Sequence, residues 1–222
     1  MSSSRAQIFR NIRRGLQRGP LGGEALDQVR QRLAQHPAST IPARSRLPQA
    51  EQVALFEQMA TEASAELIEL TELAQLPQTV ARFAAQHGIR ELVSASDPLL
   101  TELDWSAAEG LKRVQRVAQA GDQASLTASF CGIAETGTLM LHSGATSPTT
   151  LNFLPDIHLV LLRQSAIVGC YEEAWAKLRA RSADMPRTVN MITGPSRSAD
   201  IEQKLQMGAH GPKRLVILLL RD

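Results

Sequence analysis

The sequence predicts an α/β fold, a mostly parallel sheet with helices on both faces, preceded by an N-terminal helical arm. Three observations carry this prediction. From Ser125 onward, short apolar segments alternate with helical patterns, the signature of a sheet built from strand–helix–strand units. The run Leu215 to Leu220 is apolar at every position, as a strand buried on both faces requires. Residues 1–50 carry nine Arg and two acids, net +7, whereas the rest of the chain carries fifteen Lys or Arg against twenty acids, net −5. That asymmetry predicts a basic helical arm with a Pro-rich linker over residues 1–48 and a single domain over 49–222.

Each element follows from local pattern. Ser2, Ser3 and Ser4 offer N-caps, and Ile8, Ile12 and Leu16 recur at four-residue spacing, which predicts a helix over residues 4–18 ended by Gly19-Pro20. Leu26, Val29 and Leu33 mark a second helix, and Pro37, Pro42 and Pro48 mark the linker. The arm packs either on its own domain or on a neighbouring subunit of a homo-oligomer. Val53, Leu55, Phe56 and Met59 set a helix; residues 66–71 either extend it or form a strand, because period alone does not decide. Pro77 suits a first helical turn, with Val80, Phe83 and Ala84 on its buried face, and Glu91 to Ser96 reads as a strand. Leu139–Leu141, Ile157–Leu162, Val189–Thr193 and Leu215–Leu220 are further strands, expected to share one sheet. Tyr171–Arg181 and Ser198–Met207 are read as helices between them.

Composition excludes several classes of function. Two Trp, one Tyr and five Phe in 222 residues leave few aromatic platforms for single-stranded nucleic acid, and no binding motif accompanies the Arg residues, so nucleic acid is not the expected partner. Cys131 and Cys170 are too few for a disulfide scaffold, a four-thiolate zinc site or a self-contained iron–sulfur cluster. No apolar run approaches the ~20 residues of a membrane span, and the N-terminus lacks a secretory apolar core, which predicts a cytoplasmic protein. Dinucleotide, phosphate-loop, serine-hydrolase and zinc-protease motifs are all missing, so no cofactor is expected. His142, His158 and His210 with Glu135 lack metal-ligand spacing, and no metal is expected.

Three stretches at predicted strand ends combine Gly with hydroxyl, acidic, basic or His residues. In open parallel sheets that rim is where ligands bind. The first, Gly132 to Thr138, offers Glu135, Thr136, Gly137 and Thr138 in a turn with free N–H groups; it reads equally as a hairpin with a solvated Glu. The second, Thr193 to Glu202, runs from a strand into a predicted helix start, where Gly194, Ser196, Arg197 and Asp200 favour an anion, although Ser196 and Asp200 also suit simple capping. The third, Gly208 to Arg214, carries His210 beyond that helix, whose length of about 15 Å separates His210 from Ser196 unless the loop folds back.

The runs Ile133-Ala134-Glu135-Thr136-Gly137-Thr138-Leu139, Leu154-Pro155-Asp156-Ile157-His158, Thr193-Gly194-Pro195-Ser196-Arg197-Ser198-Ala199-Asp200-Ile201-Glu202 and Gly208-Ala209-His210-Gly211-Pro212 occur in the order seen in the lactate-utilisation protein C family, the LUD domain, which the chain resembles over roughly residues 50–222. Ser198 stands where the family more usually has Thr, and Ala209 where it has Val. The resemblance implies a fold like that of sugar-phosphate isomerases and CoA transferases. It also implies a place in a bacterial system oxidising L-lactate to pyruvate, with iron–sulfur clusters on companion subunits. Two functions follow as expectations: a non-redox accessory subunit binding a small carboxylate or phosphate ligand at the Gly-rich loops, or a CoA transferase-like or isomerase-like enzyme in which Glu135 is catalytic.

Overall fold

The apolar run near the C-terminus forms an interior strand of the larger sheet. The computed structural model describes residues 3–181, 184–201, 204–208 and 210–222, with the side chains of 198–201 and 204–207 left aside. It forms a six-stranded, wholly parallel sheet from β1 (Glu66–Leu70), β2 (Glu91–Ser94), β3 (Lys112–Gln115), β4 (Ala124–Ala128), β7 (Ile157–Arg163) and β12 (Arg214–Leu220), in the order β1-β12-β7-β4-β2-β3. Strand β12 lies between β1 and β7, and Leu215 to Leu220 are all buried, as continuous apolarity demands.

Alternation along the central strands divides the core in two. Val216, Leu218 and Leu220 of β12 and Leu159 and Leu161 of β7 face Leu76, Val80, Phe83 and Ala84 of α4 (Leu76–Gln86). Leu215, Ile217 and Leu219 with Val160 and Leu162 face the other way, onto Val53, Phe56 and Ala60 of α3 (Gln49–Glu62) and onto Leu139 and Leu141. Helices therefore cover both faces. The 66–71 ambiguity resolves to a strand because β1 completes the edge beside β12.

The second face also carries a four-stranded sheet, β8-β5-β6-β9, made of β5 (Cys131–Ile133), β6 (Thr138–His142), β8 (Ile167–Val168) and β9 (Val189–Ile192). Here the one-sheet expectation is corrected: β6 and β9 pair antiparallel with each other and belong to this separate sheet, not to that of β12. Its outer side packs Cys131, Ile133 and Met140 against Ala174 and Leu178 of α6 (Tyr171–Arg181).

A second correction concerns 198–207. The segment is a hairpin, β10 (Arg197–Ile201) against β11 (Lys204–Met207), in antiparallel register with Arg197 opposite Met207. Ala199, Ile201, Leu205 and Met207 satisfy a period of two as well as part of a helical stripe, so local pattern could not separate the two states. Pairing at the hairpin's base decides: the Gly208 N–H donates to the Ser196 carbonyl, and the Ser196 N–H to that of Pro212.

The chain divides into two compact units, Met1–Thr40 and Ile41–Asp222. The first contains α1 (Ser4–Gly15), capped by the Ser3 side chain, and α2 (Gly23–Gln35), and neither helix has a buried side chain. A short helix, α5 (Pro98–Thr101), follows β2. Among the described residues no helix is long and apolar enough to cross a membrane.

Candidate functional site

Strand direction determines which rim each predicted stretch occupies. The Ser196–Pro212 bond ties the second stretch to the residues just before β12, and Arg197 reaches Ala63, just before β1. Both therefore lie at the amino ends of the parallel strands. The carboxyl-end rule invoked for them does not apply, because β9, which leads into the second stretch, belongs to the other sheet.

The hairpin nevertheless does what a helix could not. With its ends joined, Gly194, Pro195 and Ser196 meet His210, Gly211 and Pro212 around an open cavity of ≈240 Å³, lined also by Thr193, Asn152 and Phe153. The separation of His210 from Ser196 expected from a helix disappears. Asn152 ends a 3-10 turn (Thr149–Asn152), is only 2% exposed, and its Oδ1 has no hydrogen-bond partner among the described residues. A buried acceptor left unpaired costs about 1–3 kcal/mol, and a ligand with a donor can relieve that cost.

Thr193 links this cavity to the first stretch. Its Oγ1 lies 2.6 Å from Thr138 Oγ1, which lies 2.7 Å from Thr136 Oγ1, and both of the latter lie 3.0 Å from the Tyr171 hydroxyl. Thr136, Thr138 and Tyr171 thus close a ring of three hydroxyls, to which Thr193 is joined through Thr138. Glu135 is buried, and its carboxylate accepts from the Tyr171 N–H at 3.2 Å, at the first turn of α6. It caps a helix contributed from elsewhere in the chain, where a negative charge complements the dipole.

Two glycines let these loops close on α3. At Gly137 φ is +63°, and an added Cβ would lie 2.2 Å from the Ala60 nitrogen; at Gly194 φ is +67°, and a Cβ would lie 2.1 Å from the Ala63 oxygen. Arg197 donates to the same Ala63 carbonyl at 2.9 Å, at the C-cap of α3. Its charge serves a helix end. Asp200 lies in β10 with its side chain outside the description, and Glu202 and Ala209 lie outside the described residues.

The structure thus brings Gly194, Ser196 and His210 together, joins Thr136 and Thr138 to them through Thr193, and places Glu135 and Arg197 on helix ends. Sequence reasoning missed Asn152 and Tyr171. Neither stands in a Gly-rich stretch, and only the fold brings them near one. The three histidines proposed and set aside as metal ligands are dispersed: His210 lines this cavity, His158 is enclosed in β7 with Nε2 2.8 Å from Thr127 Oγ1, and His142 ends β6. Burial pushes the Cys131 thiol up to about 11 and raises that of Cys170, which keeps both protonated at neutral pH.

The LUD domain family matches residues 53–220. Lactate utilization protein C of Geobacillus sp. (strain WCH70) is 30% identical over 173 residues, covering 68% of this chain and 71% of that protein. Uncharacterized protein YkgG of Escherichia coli (strain K12) is 29% identical over 194 residues, covering 80% and 83%. The crystal structure of a DUF162 family protein from Deinococcus radiodurans superposes with a TM-score of 0.60 at 22% identity, covering 78% of this chain and 99% of the other, a likeness of fold.

Proposed function

The chain belongs to the LUD domain family, and from that premise we propose that it is a non-redox accessory subunit of a cytoplasmic L-lactate-utilising system, binding a small hydroxy acid in the Asn152–Ser196–His210 cavity. The observation that carries the reading is that Asn152, which lines that cavity, holds a buried Oδ1 with no hydrogen-bond partner among the described residues. It needs a proton donor. A 2-hydroxy acid brings a hydroxyl that donates, whereas its 2-oxo product brings none, and sites built around such a bond discriminate strongly against analogues lacking it. The Ser196 side chain and the backbone at Gly194 and Gly211 line the cavity and offer the carboxylate a polar wall. Electron transfer then falls to iron–sulfur partners, because this chain's two cysteines are too few for a cluster and both are buried.

The transferase alternative asks Glu135 to attack an acyl donor. Its carboxylate is instead buried against the Tyr171 N–H, an arrangement that favours positioning α6 and the Tyr171 hydroxyl.

The test is a thermal-shift and calorimetric comparison of L-lactate and pyruvate on the full chain and on Asn152→Leu. L-Lactate at a hundred times its dissociation constant should add about 2.7 kcal/mol of stability. Pyruvate should bind at least tenfold more weakly, and Asn152→Leu should abolish that preference. Equal binding of the two acids, or acyl-CoA turnover by the purified chain alone, would overturn the proposal.

A further inference from the structure

We infer that the crevice at the carboxyl ends of β2, β4 and β7 is a second ligand site, one that receives the oxyanion of an organic carboxylate or phosphate ester on Arg181. Topology creates the crevice. From β2 the chain leads to β3 on one side, and from β4 it proceeds toward β7 on the other, so the loops leaving the adjacent strands β2 and β4 diverge. In an open parallel sheet this divergence leaves the usual ligand crevice. A cavity of ≈430 Å³ lies there, lined by Asp97 beyond β2, Ser129 and Phe130 beyond β4, Arg163 at the end of β7, His142 at the end of β6 and Arg181 at the end of α6.

Arg181 is held for the task. Its Nη1 donates to His142 Nε2, and its guanidinium lies 5.9 Å from the centre of the Phe130 ring. His142 meets the same ring edge-on at 5.5 Å. Burial and the nearby Arg181 charge lower the His142 pKa, so the imidazole is neutral at physiological pH and can accept this bond. Both partners orient the guanidinium without neutralising it, and Arg181 forms no ion pair among the described residues. Arg163 differs, since Asp222 pairs with it at 3.1 Å. The cavity thus holds at its exposed edge an oriented fork of donors that no described carboxylate pairs, the group that binds carboxylate or phosphate most effectively. Leu99, Leu161 and Phe130 add an apolar wall, which suits an anion with an organic body, and the volume falls within the range of small-molecule sites.

The experiment titrates benzoate and inorganic phosphate into the full chain at low ionic strength by calorimetry, alongside Arg181→Gln, Arg181→Lys and Asn152→Leu. Binding of benzoate identifies a carboxylate occupant, and binding of phosphate alone a phosphate ester. In either case Arg181→Gln should weaken binding at least tenfold and Arg181→Lys by less, while Asn152→Leu leaves it unchanged. Failure of both probes to bind below about 10 mM, a Kd equivalent to roughly 3 kcal/mol, refutes the inference. So does equal affinity in Arg181→Gln, provided its melting temperature stays within a few degrees of the parent.

Discussion

His158 makes stability depend on pH in a way that can be worked out from its position. It is the second residue of β7, opposite Ser125 on β4 and Leu215 on β12, with no exposed surface, and burial pushes its pKa down from 6.5 to about 3. Between those values the unfolded chain binds a proton that the folded chain refuses, so stability rises with pH at about 1.4 kcal/mol per pH unit for this one group. Above pH 6.5 both states hold the ring neutral and the contribution is flat. As pH falls, the stability is lost progressively, and at about pH 3 the loss reaches roughly 5 kcal/mol, a large share of a typical domain's 5–15 kcal/mol. The perturbation is His158→Gln, which retains a polar group toward Thr127 but cannot titrate. Urea unfolding of the parent and the variant from pH 7.5 to 4.5 isolates the group, because every other carboxylate and histidine is common to both. The difference in unfolding free energy should be constant above pH 6.5 and then change by nearly 3 kcal/mol, in the variant's favour, by pH 4.5. Parallel profiles across that range would show that the ring is reached by water or by a proton donor, and the reasoning would fall.

Two further substitutions test the packing of the loops on α3. Gly137→Ala forces a Cβ to within 2.2 Å of the Ala60 nitrogen at a φ of +63°, and left-handed strain with overpacking should cost about 2–5 kcal/mol in urea unfolding. Gly144→Ala, with nothing within 4 Å of its Cβ, should change stability by less than about 1 kcal/mol and serves as the control. Arg197→Ala removes the bond to the Ala63 carbonyl at an exposed site; calorimetry should show a melting temperature lower by a few degrees at most, with L-lactate affinity unchanged. Lost affinity at an unchanged melting temperature would return Arg197 to the ligand.

What could be read from the chain was whatever has a local cause. The six apolar residues of β12 name a strand buried on both faces because no polar residue interrupts them, and no packing information is needed. Helix α6 follows from its own stripe, with Glu172 and Glu173 in its first turn. The Gly-rich stretches announce close backbone approach, and Gly137 and Gly194 are found pressed on α3. Residues 198–207 show where local pattern stops: their apolar spacing fits a strand and a helix alike, and the choice rests on bonds from Ser196 to Gly208 and Pro212. The assignment of β6 and β9 to a separate sheet was equally invisible, since any apolar strand can join either sheet and only the register between them differs.

The sites lay further still from local cause. Thr193 reaches Thr138 across 55 positions, Glu135 caps a helix that begins 36 positions later, and the Arg181–His142 contact spans 39. No spacing rule connects such residues, because their proximity is set by the order and direction of strands. The residue types for binding an anion were present from the outset; which rim of the sheet each would occupy was determined by the topology that turned β9 and the hairpin toward the amino ends and left Arg181 at the carboxyl ends.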